Sequence, residues 1–222
     1  MKILALGDCN TVGINECHFN SFPERFASLV GAEVLNCGYT MATTREGVSM
    51  FNDNYDKSFD MVIISFGLTD SWQGIRYIPY IPYYPDNPLR KIGRKIVKKI
   101  RKTSRKLNLN RYMPVEHITT REQYVANIRY LIRRSSPALV FLPDTLPIDS
   151  EGRNDDIILY NRLLDNLVSD RDNVIRVHFY NHFAGHRAEL FQDRTHLNER
   201  GCDLVASYIY QAYMSNTALP PA

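Results

Sequence analysis

The sequence is poor in cysteine and has no long apolar run. Its four cysteines, Cys9, Cys17, Cys37 and Cys202, lack metal-type spacing. That argues against a disulfide-stapled scaffold and a zinc module. Free thiols in a reducing cytoplasm are the default, so the expected location is cytoplasmic. No stretch approaches the roughly 20 apolar residues of a membrane span. The opening run Ile3–Leu6 stops at Gly7-Asp8, short of the about 7–15 apolar residues of a secretory signal. It reads as a first buried strand. Neither G-x-G-x-x-G nor G-x-x-x-x-G-K-[ST] occurs, which disfavours a nucleotide-binding module. No internal repeat is visible. One further absence is local: residues 90–106 contain ten Lys/Arg and no acid.

What is present is ordinary in bulk. The 222 residues are 44% hydrophobic and 23% charged, as for a globular protein able to bury a sizeable core. Strand-like and helix-like segments alternate. The strands are expected at Ile3–Leu6, Glu33–Asn36, Asp60–Phe66, Ala138–Leu142 and Asn173–Val177. Helices are expected at Pro23–Val30, Thr43–Phe51, Thr119–Arg134, Asp155–Val168 and Asn198–Tyr213. Thr119 and Glu122 have capping-box spacing. Val125, Ile128, Leu131 and Ile132 make one apolar face, as do Ile158, Leu163, Leu164 and Leu167. Asp60–Phe66 and Ala138–Leu142 are continuous apolar runs, as for strands covered on both faces. The pattern predicts an α/β fold: one domain over 1–222, a three-layer α/β/α sandwich on a five-stranded parallel sheet.

Ligands of such a sheet bind at the carboxyl ends of the strands. There the sequence places Gly7-Asp8-Cys9-Asn10-Thr11, Asn36-Cys37-Gly38, Gly67-Leu68-Thr69-Asp70 and Asp193-Arg194-Thr195-His196. These loops offer a nucleophile, close backbone approach, a hydroxyl donor and an acid–base pair. Together they are the parts of an acyl-transfer site. Asp8 and Asp70 are expected to bond nearby backbone. Cys37 could approach Cys9 as a redox partner, a minor alternative. Cys17 and Cys202 read as structural.

The same residues resemble the SGNH, or GDSL, hydrolase family. Gly7-Asp8-Cys9-Asn10-Thr11 looks like its first block, with Cys in place of the nucleophilic Ser. Gly38 matches the glycine of the second block. Gly67-x-Thr69-Asp70 matches the third block, with Thr in place of Asn. Asp193-x-x-His196 matches the last. The resemblance spans residues 3 to about 213 and implies a flavodoxin-like sandwich. It makes Cys9 the nucleophile, His196 the general base and Asp193 the group that orients the imidazole. It makes the N–H groups of Cys9 and Gly38 and the Thr69 side chain the oxyanion donors. A missing donor there costs about 2.7–4 kcal/mol, so Thr69 for Asn bears directly on rate. No cofactor or metal is required. The histidines His178, His182 and His186 fit no common ligand set.

Residues 72–116 interrupt the alternation and are expected to be an insertion at the rim of the site. It opens with Tyr77, Pro79, Tyr80, Pro82, Tyr83, Tyr84, Pro85 and Pro88, a wall suited to saccharide or acyl groups or else packed on the sheet edge. The basic run follows. Ile92, Ile96 and Ile100, with Val97 beside them, fall at helical spacing, giving a basic amphipathic helix weakened by Gly93. Arg94, Lys95, Lys98, Lys99 and Lys102 are candidates for docking an anionic partner. A membrane surface, an acidic carrier or a polysaccharide fits better than nucleic acid, because the aromatics precede the basic run rather than interleave with it. Outside 90–106 the chain has 17 basic against 24 acidic residues, so a polarised molecule hides behind a net charge of +3. The expected function is ester hydrolysis or acyl transfer on a small-molecule or saccharide ester, or a thioester. The alternative is a degenerate relative that binds through the basic helix.

Overall fold

A computed structural model describes residues 1–108, 111–150, 152–168 and 173–217. The chain begins with β1 (Lys2–Gly7), a short α1 (Cys9–Val12), α2 (Phe22–Val30), β2 (Glu33–Asn36), α3 (Thr44–Asn54) and β3 (Met61–Ser65). There follow β4 (Gln73–Ile75), α4 (Pro88–Lys106), β5 (Val115–His117), α5 (Arg121–Ser135) and β6 (Leu139–Pro143). The last elements are α6 (Asn154–Asp165), β7 (Val174–Val177), α7 (Tyr180–Gly185), α8 (Arg187–Leu190) and α9 (Glu199–Thr217).

Five strands form one parallel sheet in the order β2-β1-β3-β6-β7. The five expected strands are these five, and the architecture is the expected doubly covered sandwich. Alternation along the strands divides the core in two. Ile3, Ala5, Ile63 and Phe141 face Phe26 of α2 and Val205 and Ile209 of α9. Leu4, Leu6, Val62, Ile64, Val140 and Leu142 face Met50 of α3, Leu131 of α5 and Leu164 of α6. That two-sided burial is why β3 and β6 read as unbroken apolar runs. Among the described residues, no helix is long and apolar enough to cross a membrane.

Two helix readings need correction. The N-cap of α5 is Thr120, not Thr119: Thr120 Oγ1 accepts from the Gln123 N–H at 3.3 Å. Thr119 is engaged elsewhere, its N–H donating to Asp70 O at 3.2 Å and its carbonyl accepting from Tyr160 Oη. The buried face of α6 is Ile157, Tyr160, Asn161 and Leu164, with Ile158 and Leu163 only half-buried. Asn161 turns the helix by bonding both backbone groups of Thr145, at 2.8 and 3.1 Å.

The insertion leaves and rejoins the body through the antiparallel pair β4–β5. Leu109 and Asn110, expected within it, lie outside the described residues. Its aromatic half is anchored by the buried Glu46 of α3. One Glu46 oxygen caps its own helix at Thr43 (3.1 Å to the N–H). The other accepts from Tyr80 Oη at 2.7 Å and the Tyr83 N–H at 2.9 Å. α4 then packs against this stretch. A Cβ at Gly93 would lie 2.7 Å from Ile81 Cδ1, so glycine permits the close approach that its poor helix propensity opposes.

Candidate active site

The site forms where the loops after β1, β2 and β3 meet the loop before α9. Asp8 follows β1 and caps α1 by accepting from the Asn10 N–H at 2.9 Å. Cys9 is thereby the first residue of a helix, where backbone N–H groups lack intrahelical partners. Gly38 sits against the same turn: a Cβ there would come 2.4 Å from Val12 N. Only glycine allows the second loop to approach the Cys9 turn so closely.

His196 and Asp193 form the expected pair. His196 Nδ1 lies 2.7 Å from Asp193 Oδ2 and 3.1 Å from Thr195 Oγ1. Asp193 Oδ1 accepts from the N–H groups of Thr195 and His196 at 2.7 and 2.8 Å. Burial raises the Asp193 pKa, but the Thr195 N–H, the His196 ring and the His196 N–H outweigh it and hold the carboxyl at about 2. A carboxylate at Nδ1 fixes the tautomer that leaves Nε2 as the acceptor.

Asn10 brings the two halves together. Its Nδ2 donates to Thr195 O at 3.0 Å and its Oδ1 accepts from the Leu197 N–H at 3.1 Å. The side chain next to Cys9 thus grips the backbone on both sides of His196. The sequence reading missed this role. An asparagine beside Cys9 carries no local signal of a partner 185 residues away.

Cys9 is only 5% exposed. Burial, then the charge of Asp8, pushes its thiol well above the ordinary range, against the opposing N–H groups of Cys9, Met41 and Asn10. At neutral pH the sulfur is therefore a thiol, not a thiolate. Among the described residues no hydrogen bond joins it to His196. Cys37 and Cys9 are both free.

The groups expected to meet an oxyanion differ in their surroundings. Thr69 is buried in the turn after β3, its carbonyl accepting from the Trp72 N–H at 3.2 Å. The Gly38 N–H donates at 2.9 Å to Asn36 Oδ1, while Asn36 Nδ2 donates to Thr11 O and Glu24 Oε1. The Gly38 N–H is thus engaged within its own loop.

Asp8 and Asp70 are fully buried, and burial raises each carboxyl to about 6. Asp70 accepts from Thr44 N–H at 3.0 Å and Thr44 Oγ1 at 2.7 Å. It ties α3 to the third loop, a backbone-bonding role as expected. Each group holds its proton more tightly folded than unfolded. Their contribution to stability is full below the ordinary carboxylate range and declines as pH rises toward and through about 6.

Beside these loops lies a cleft of about 640 Å³ between the aromatic stretch and α4. Met41, Trp72, Tyr80, Tyr83, Lys95 and Lys98 are among the residues that line it. Met41 joins the cleft to the site: its N–H faces Cys9, and its carbonyl accepts from Tyr80 Oη at 2.8 Å. Met41 holds a left-handed φ of 61°, which sequence spacing does not reveal. Tyr84 instead packs on Tyr39 and bonds Asp53. The aromatic stretch is thus both cleft wall and anchor. Arg94 departs from its expected docking role. It pairs with Asp86, donates to Pro82 O at 2.8 Å and stacks over Tyr83, which folds the insertion.

No family model and no curated protein matches the sequence. Solved structures do match. A lipase/acylhydrolase from Enterococcus faecalis is 16% identical with a TM-score of 0.62, covering 100% of this chain and 98% of its own. A G-D-S-L lipolytic protein from Veillonella parvula is 15% identical with a TM-score of 0.64, over 98% of this chain and 99% of its own. An acetylxylan esterase from Geobacillus stearothermophilus, solved as a catalytic mutant with an aspartate replaced by alanine, is 17% identical with a TM-score of 0.61, over 99% and 94%. Along its whole length, this chain has the fold of the G-D-S-L lipolytic proteins.

Proposed function

We propose that the protein hydrolyses or transfers acyl groups from esters through Cys9, His196 and Asp193. The observation that carries this is the His196–Asp193 pair, clamped by Asn10 to the helix turn that bears Cys9. Because the thiol is protonated at rest, His196 acts as it would for a serine. Nε2 takes the Cys9 proton as the sulfur attacks the ester carbonyl carbon. The oxyanion is met by the Cys9 N–H and the Thr69 hydroxyl. The carbon–oxygen bond to the leaving group breaks, and the imidazolium returns the proton to the departing alkoxide. A thioester on Cys9 remains. Water or a sugar hydroxyl, deprotonated by His196, then attacks it and restores the thiol.

The substrate class follows from the cleft. Trp72, Tyr80 and Tyr83 offer flat apolar faces, and Lys95 and Lys98 favour an acidic or polar head. An O-acylated saccharide fits that wall, and the fold's likeness to an acetylxylan esterase supports it. Two observations favour a second reading, a binding protein without turnover. The Gly38 N–H is bonded to Asn36 Oδ1, and Thr69 supplies one short hydroxyl where an amide would supply two N–H donors.

The two readings separate on p-nitrophenyl acetate. The wild type releases p-nitrophenol slowly, and Thr69→Asn raises turnover by about 10², the usual worth of one oxyanion donor. No release by either protein, with the fold intact, leaves the binding reading.

A further inference from the structure

We propose that α4 docks the protein on an anionic lipid surface, lying flat with its exposed apolar side in the headgroup region. The observation is an apolar stripe with nothing covering it. Leu89, Ile92, Ile96 and Ile100 stand at helical spacing and are 81, 56, 55 and 45% exposed. They lie about a quarter-turn round the helix from the side that meets the body, which carries the buried Val97 and Ser104 and the Gly93 that abuts Ile81. A helix of 19 residues spans about 28 Å. Four large aliphatic side chains along one line would be an aggregation hazard on a free surface.

Charge selects the occupant. Lys95, Lys99 and Lys102 run beside the stripe at three- and four-residue spacing and are exposed. Lys95, Lys98, Lys99 and Lys102 make no ion pair among the described residues. Arg94 and Lys91, by contrast, are paired with Asp86. An apolar line edged by free lysines is the pattern of a helix that inserts side-on into anionic bilayers. A purely electrostatic partner, such as an acidic carrier, would use the lysines and leave the isoleucines in water. The rest of the chain is acidic overall, so an anionic surface repels the body and orients the molecule α4 first. The inference stands apart from the ester chemistry and is read without an activity assay.

The test is co-sedimentation of the full chain with vesicles of phosphatidylcholine, alone or mixed with phosphatidylserine, and with polyglutamate as competitor. The wild type pellets with the mixed vesicles and not with phosphatidylcholine alone. Replacing Lys95, Lys99 and Lys102 together by glutamine lowers the partition by about 100-fold, at roughly fivefold per lysine. Replacing Ile92, Ile96 and Ile100 together by serine lowers it by about tenfold or more at unchanged charge. All six side chains are exposed, so circular dichroism of both variants matches the wild type. Failure of the wild type to pellet with mixed vesicles overturns the proposal. So does an isoleucine variant that binds them as the wild type does, or binding displaced by polyglutamate in wild type and isoleucine variant alike, which assigns the helix to an acidic polymer.

Discussion

His196→Ala lowers turnover of a short p-nitrophenyl ester by about 10²–10⁴, the usual contribution of a positioned general base. The structure gives two reasons to expect a large loss. First, the Cys9 thiol is held protonated by burial and by Asp8, so attack requires removal of a proton during the step. A pre-formed thiolate would need the base much less. Second, the loss is chemical rather than structural. The loop carrying His196 is held through backbone atoms: Asn10 bonds Thr195 O and the Leu197 N–H, and the Gln192 N–H donates to His196 O at 2.9 Å. Alanine at 196 keeps all three. The variant should therefore melt as the wild type does while losing rate. Retention of most of the rate would move the base to another group, with Asp8 as the nearest buried carboxyl of suitable pKa.

The second large effect concerns stability. Asp144→Ala should lower the unfolding free energy by about 3–5 kcal/mol, as for removal of one partner of a buried ion pair. Asp144 stands at the end of the β6–β7 side of the sheet. Its Oδ1 pairs with Arg176 of β7, and both side chains are buried. Its Oδ2 accepts from the Phe179 and Tyr180 N–H groups at 2.8 and 2.9 Å, where α7 begins. Alanine leaves a buried guanidinium and two orphaned N–H groups. Arg176 keeps Leu142 O at 2.7 Å and Asp165 at 2.9 Å, which is why the loss should not run to complete unfolding. Urea denaturation measures it. A loss below about 1 kcal/mol would place the pair among those that contribute little.

Most of the sheet was legible because its strands are short apolar runs between helix-length amphipathic segments. The two errors came from side chains with distant partners. Adjacent threonines at 119 and 120 fit the same capping rule. Only the contacts of Thr119 with Asp70 and Tyr160 decide that Thr120 takes the cap. The face of α6 is set by Asn161 and Tyr160, polar groups that an apolar periodicity ignores. In the site, the motif-bearing residues could be found by their order at strand ends. Asn10, Glu46 and the Nδ2 contacts of Asn36 could not, since these are tertiary hydrogen bonds. The three-residue strands β4 and β5 are too short to show a period, so the insertion read as a loop and a helix without its closing ribbon.

The central claim is that Cys9 is the nucleophile of an acyl-transfer site. The most direct measurement is the mass of the intact protein, acid-quenched during turnover of p-nitrophenyl acetate, followed by peptide mapping. The account predicts a gain of one acetyl group on Cys9 that decays as substrate is consumed, and no such gain in Cys9→Ala. An unmodified Cys9 throughout turnover, or the same adduct forming in Cys9→Ala, would contradict it.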